Sequence, residues 1–108
     1  MRIWTRAGRK PVYWLSMLPA RDDAWSRHNT EINTVLRAAA RRVPGTEFID
    51  INGPVTDHGR YADFTSVGGP PALVRAPDGI HFNPAGSDIV AHEVISVLER
   101  EWQLRRRG

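Results

Sequence analysis

Asp78 and His81 stand three residues apart in the stretch RAPDGIHFNPAGSDIVAHEVISVLEREW, residues 75–102. A carboxylate at that spacing can accept a hydrogen bond from one imidazole nitrogen and fix the tautomer. It can also balance the imidazolium that forms when the other nitrogen takes up a proton. Asp78-Gly79 is a turn pair, and a turn brings residues three apart onto the same side. The same residues can equally form an ordinary Asx turn, with Asp78 bonded to nearby backbone and His81 packed beneath the helix that follows. If the pair serves catalysis, some hydroxyl elsewhere must be the group it activates.

The other chemistry-bearing residues are weaker candidates. Ser16 falls near the C-terminal end of an apolar run, the edge where α/β sheets place their sites. It lies in no Gly-x-Ser-x-Gly turn, so strand core or a loop-shaping hydroxyl is the favoured reading and a nucleophile the lesser one. Ser87 reads as a capping residue in the first turn of the last helix, and His92 as a surface or packing histidine inside it. His28 and His58 have no acidic or histidine partner at metal-ligand spacing, so no metal site is expected. Asp50 and Asn52, at the end of a second strand, suit a polar loop contact.

The elements that would position these residues alternate. PVYWLSML, residues 11–18, is a nearly unbroken apolar run and reads as a strand buried on both faces. PARDD turns the chain, and Asp22 or Asp23 caps a helix from about Ala24 to Arg42, with Trp25, Ile32, Val35, Leu36 and Ala39 at helical spacing. VPG breaks that helix, and TEFIDI, residues 46–51, is a second strand. Strand, helix and strand with short links predict a right-handed βαβ unit holding a parallel pair. GRYADF and ALVRA flank GGPP and suggest a small hairpin. Asn83 caps and Pro84 opens a helix to about Arg105, with Val90, Val94, Val97, Leu98 and Trp102 as its apolar stripe.

Composition narrows the classes. The chain has 108 residues, the size of one domain, with 41% apolar and 25% charged residues, a globular balance. It contains no cysteine, which rules out disulfides and thiolate–zinc sites. No apolar run approaches the roughly 18 residues of a membrane span, and MRIWTRAGRK lacks the apolar centre of a signal peptide. The net charge of +3 and pI near 10.2 come from arginines clustered in RRV and LRRRG. Such clusters suit solvated helix ends; no nucleic-acid motif accompanies them, so a basic nucleic-acid-binding protein is only a minor alternative.

A strand as apolar as residues 11–18 calls for a neighbour on each side, yet the pattern supplies one parallel partner. The first ten residues look like the end of a helix closed by Gly8. The expectation is therefore a chain that begins partway through a doubly wound α/β domain. Its open sheet edge would favour self-association.

DGIHFNPAGSDIVAHEVISVL resembles the last characteristic block of the SGNH hydrolases, the GDSL-type esterases and lipases. In that block an Asp-x-x-His precedes the final helix, commonly as Asp-Gly-x-His followed by Pro-Ala-Gly. PVYWLSMLPARDDAWSRHNTEIN is similar to the family's strand and loop before a long helix. With GRYADF and VRAPDGIHF, the whole is most similar to a bacterial branch known only as a domain of unknown function. The resemblance covers nearly the whole chain and about the second half of the family's domain. It implies the C-terminal part of a flavodoxin-like, three-layer α/β/α domain lacking its N-terminal strands.

Carried over by position, the resemblance makes Asp78 the orienting acid and His81 the general base of a serine-dependent esterase. The serine and the oxyanion residues would lie in blocks N-terminal to this sequence, so the chain alone is expected to be inactive. The substrate would be a small-molecule or saccharide ester, commonly an acetyl or short acyl ester. No cofactor is implied, and the setting leans towards periplasmic or secreted. A non-catalytic binding or scaffold module with the same fold is the alternative. The long segment TDHGRYADFTSVGGPPAL would suit the wall of a substrate cleft.

Overall fold

The computed structural model describes residues 11–66 and 69–102, the last without its side chain. The expectations for the first ten residues, for the Trp102 side chain and for a helix reaching Arg105 lie outside the described residues. The chain divides into two compact units, Met1–Asn52 and Gly53–Gly108.

In the first unit, strand β1 (Val12–Leu15) pairs in parallel with β2 (Thr46–Ile49), in the register Val12 to Thr46, Trp14 to Phe48 and Leu15 to Ile49. Helix α1 (Asp23–Arg42) makes the crossover, so the chain is mixed α/β with the expected βαβ unit. Asp22 supplies the cap: its carboxylate accepts from the backbone N–H groups of Ala24 at 2.8 Å and Trp25 at 3.2 Å. Two donors otherwise left without a partner at the helix start are thereby satisfied. Asp23 in the first turn, with Arg41 and Arg42 in the last, matches the helix dipole at both ends. The helix stops at Val43, which is extended ahead of Pro44, as the residue before a proline prefers. Gly45, at φ 82°, then reverses the chain into β2.

The first strand is shorter and less buried than its composition suggests. Only four residues join the ladder, and Leu15 and Met17 remain exposed. The cause lies on α1. Asn33 donates to the Met17 carbonyl at 2.8 Å and accepts from the Met17 N–H at 2.6 Å. Asn29 donates to Leu18 at 2.6 Å, while the Ser26 hydroxyl donates to the Ala20 carbonyl at 2.9 Å and accepts from its N–H at 3.1 Å. These three residues, at i, i+3 and i+7, line one face of the helix. They capture the backbone of residues 17–20, which therefore leaves the sheet. The apolar stripe predicted on α1 is correspondingly only half right. Leu36 and Ala39 are partly covered, Ala40 is buried, and Trp25, Ile32 and Val35 stay exposed because the polar row occupies the inner face.

The second unit is built from hairpins and a helix. A 3-10 turn (Gly53–Val55), which the sequence pattern gave no sign of, buries Val55 completely. Asp57 and Arg60 then close a tight turn, bonding each other's backbone at 2.9 and 3.0 Å. Strands β3 (Phe64–Thr65) and β4 (Ala72–Leu73) form the antiparallel hairpin expected around GGPP. Beyond β4 the chain folds back once more: Arg75 opposes Phe82, and Ala76 donates to the His81 carbonyl at 2.8 Å. Helix α2 (Pro84–Trp102) follows, with Val90, Val94, Val97 and Leu98 partly covered. Asn83 is its cap, accepting from the Gly86 N–H at 2.8 Å and donating to the Leu73 carbonyl at 2.7 Å. Ser87, predicted to cap, instead gives its backbone N–H to the Asn83 carbonyl at 3.0 Å.

Candidate acid–base site

The turn between β4 and α2 holds Asp78 and His81. Asp78 divides its carboxylate between two tasks. Its Oδ1 accepts from the backbone N–H groups of Ile80 at 2.8 Å and His81 at 3.0 Å. Its Oδ2 lies 2.6 Å from His81 Nδ1. Gly79 sits at φ 72°, a left-handed conformation that glycine adopts without steric cost, and this lets the chain reverse within the turn. The Gly79 N–H closes the turn onto the Ala76 carbonyl at 3.1 Å. The Asx turn and the carboxylate–imidazole pair, alternatives at the level of sequence, are one arrangement.

Its electrostatics follow from those bonds. The hydrogen bond from His81, then the two backbone N–H groups, hold the Asp78 carboxyl down at about 2, against an ordinary value of 3.8. At neutral pH Asp78 is therefore ionised and can only accept. Nδ1 must then carry the proton it shares, so that in the neutral ring the Nε2 lone pair is the one free to act as a base. The His81 side chain is 77% exposed, so that nitrogen is open to a reacting partner.

Behind the turn stands Arg75, only 1% exposed. Its guanidinium lies over the Tyr61 ring at 4.9 Å and the Phe82 ring at 5.3 Å, and donates to the Ile80 carbonyl at 3.0 Å. Tyr61 donates its hydroxyl to Asp63. Burial lowers the guanidinium's affinity for its proton, while Tyr61 and Asp63 act in the opposite sense. Sequence reasoning missed Arg75; an arginine inside the short apolar segment ALVRA was the available signal.

Ser16 forms a different kind of centre in the first unit. It is 5% exposed. Its hydroxyl donates to Asp50 at 3.3 Å and accepts from the Ile51 N–H at 2.9 Å and from Asn52 Nδ2 at 3.1 Å. Burial works to raise the Asp50 carboxyl, but bonds from the Asn52 backbone and side chain, from Ser16 and from Arg37 outweigh it and leave it below its ordinary value. A carboxylate so stabilised is a poor base, so Ser16 is engaged as a loop-shaping hydroxyl, the favoured expectation. Asp50 and Asn52 are the polar loop contacts expected of them.

The remaining histidines are exposed. His58 bonds Asp57 at 2.8 Å, a neighbour the spacing argument passed over. It has φ 52°, followed by Gly59 at 88°, as the tight turn requires. Among the described residues no three histidines, cysteines or carboxylates are grouped to hold a metal ion, and no helix is long and apolar enough to cross a membrane.

A family model described as a protein of unknown function (DUF459) matches residues 1–97. No curated protein matches the chain.

Proposed function

Since the chain belongs to the family of unknown function DUF459, its activity must be read from its site, and we propose that Asp78 and His81 are the acid and base of an SGNH-type, serine-dependent ester hydrolase. The observation that carries this reading is the 2.6 Å contact of Asp78 Oδ2 with His81 Nδ1, made while Oδ1 is tied to two backbone N–H groups. Those ties prevent the carboxylate from swinging away as the imidazole titrates, which is what an orienting acid must do.

In this reading His81 Nε2 takes the proton of a serine hydroxyl as its oxygen attacks the ester carbonyl. Nε2 then delivers that proton to the departing alcohol oxygen, leaving the acyl group on the serine. Water, deprotonated by the same nitrogen, releases the acid and restores the serine. Asp78 stabilises the imidazolium in both halves. In this reading the serine and the oxyanion donors are not among these residues, as the resemblance implies. The substrate class is a small-molecule or saccharide ester with a short acyl group.

The test is ester hydrolysis by the full-length protein. His81→Ala should remove most turnover, on the order of a thousandfold or more, as loss of a base from such a unit does. Asp78→Asn should cost nearly as much, because an amide leaves the ring in the wrong tautomer and cannot balance its charge. His92→Ala, on the exposed part of α2, should be silent. Full turnover in the His81→Ala protein would overturn the reading.

A further inference from the structure

We infer that Arg75 is a positioning residue for the Asp78–His81 pair, setting the ring through the Ile80 carbonyl that its guanidinium holds. The inference rests on the acid–base reading above and adds to it a residue that never touches substrate.

Three observations support it. Arg75 is buried, and its charge is met there by two ring faces and by the carbonyl of Ile80. Its plane is fixed by two rings, Tyr61 and Phe82, which leave little freedom in where its donors point. One of those donors meets the carbonyl of Ile80, and Ile80 is part of the catalytic turn itself. Its N–H binds Asp78 Oδ1, and its carbonyl carbon is joined to the His81 nitrogen. The backbone of residues 80–81 is thus gripped by Asp78 on its N–H side and by Arg75 on its carbonyl side.

The backbone pairing makes this connection short. Ala76 with His81, and Val74 with Asn83, are joined by backbone hydrogen bonds. Arg75 and Phe82 are therefore a non-hydrogen-bonded pair, the closer kind, in which side chains meet. Arg75 stacks on the residue after His81 and bonds the residue before it. Rotation of the 80–81 peptide, which would carry the imidazole away from Oδ2, requires that bond to break.

The experiment compares Arg75→Met, Arg75→Lys and Val55→Ala in the full-length protein. Val55 is completely buried in the same unit and lies outside the Asp78–His81 turn, so its truncation reports general loosening. Arg75→Met should lower kcat about ten- to a hundredfold with KM within about twofold, the scale expected when a reacting group is misplaced by about 1 Å. It should also raise the titration midpoint of the Asp78 carboxyl and weaken the low-field proton resonance of the His81 ring. Arg75→Lys, which keeps the charge without the planar fork, should fall between it and wild type. Val55→Ala should lower the melting temperature and leave kcat and both spectroscopic signals in place.

If Arg75→Met fails to fold, the same readings on Arg75→Lys decide. Wild-type kcat and signals in the folded arginine variant, with His81→Ala inactive, would refute the positioning role and leave the acid–base reading standing. An active His81→Ala protein would refute the acid–base reading instead. The positioning of the ring would then be judged by the two spectroscopic signals alone.

Discussion

Gly86 leaves no room for a single added carbon. It lies in the first turn of α2, where the helix crosses the backbone of the preceding strand. A Cβ built there would stand 2.1 Å from the Val74 carbonyl oxygen and 3.0 Å from a Phe82 ring carbon. To reach even 3.0 Å from that oxygen, helix and strand must separate by about 0.9 Å. The carbonyl cannot yield freely, because it accepts the Asn83 N–H at 3.1 Å. Overpacking of this kind costs about 1–3 kcal/mol, and straining the Asn83 bond adds up to about 1 kcal/mol. Alanine's better helix propensity returns at most about 1 kcal/mol. The net expectation for Gly86→Ala is a loss of about 1–3 kcal/mol, a fall in melting temperature on the order of 10 °C. Gly53, with nothing within 4 Å of its Cβ position, is the control; Gly53→Ala should stay within about 0.5 kcal/mol. Urea and thermal unfolding followed by circular dichroism measure both. A Gly86→Ala chain as stable as wild type would refute the close approach of α2 to Val74.

Two further outcomes follow from the sites. The Asp78 carboxyl should titrate at about 2 rather than 3.8 when followed by carbon NMR, and His81→Ala should move it upward by removing the largest cause of the shift. Because the folded-state value is the lower one, the folded chain is favoured above about pH 4, and this contribution is lost as pH falls through about 2. A wild-type midpoint near 3.8, or one unmoved by His81→Ala, would contradict the pairing. Ser16→Ala should destabilise the chain by about 1–3 kcal/mol in chemical denaturation, since it strands the buried Ile51 N–H. Ester turnover of the full-length protein should survive it, and loss of turnover at unchanged stability would make Ser16 the nucleophile.

What was legible in the sequence is what local chemistry decides. Asp22 before an amphipathic run, Val43-Pro44-Gly45 after it, and Asn83-Pro84 before the second helix each specify an end through groups within a few residues. The Asp78-Gly79 turn belongs to the same class, and so its pairing with His81 could be read as one of two local alternatives. The first strand was overextended because an apolar run carries no mark of where a ladder stops. That limit is set by Asn33, Asn29 and Ser26, residues 6–16 positions away from the backbone they bind. Polar residues at helical spacing look like a solvated face; here they are the inner one. Arg75 was illegible for a related reason. An arginine's burial depends on the two rings that enclose it, and Tyr61 lies fourteen positions away, on the other side of the β3–β4 hairpin.

The division of Asp78's two oxygens has a consequence for how the pair keeps its geometry. In a free pair, protonation of the imidazole and the approach of substrate would both pull on the carboxylate, and either could open the contact. Here Oδ1 is held by backbone N–H groups whose positions are fixed in turn by the Ala76–His81 bond and by Arg75 on the Ile80 carbonyl. The carboxylate cannot rotate without sacrificing two charge-assisted bonds, each stronger than a neutral one. The exposure of His81 is therefore compatible with a defined ring orientation: order is imposed from the Nδ1 side, through backbone, and the Nε2 side is left open. Burial would fix the ring equally well but would close the Nε2 face, on which the proposed proton exchange takes place.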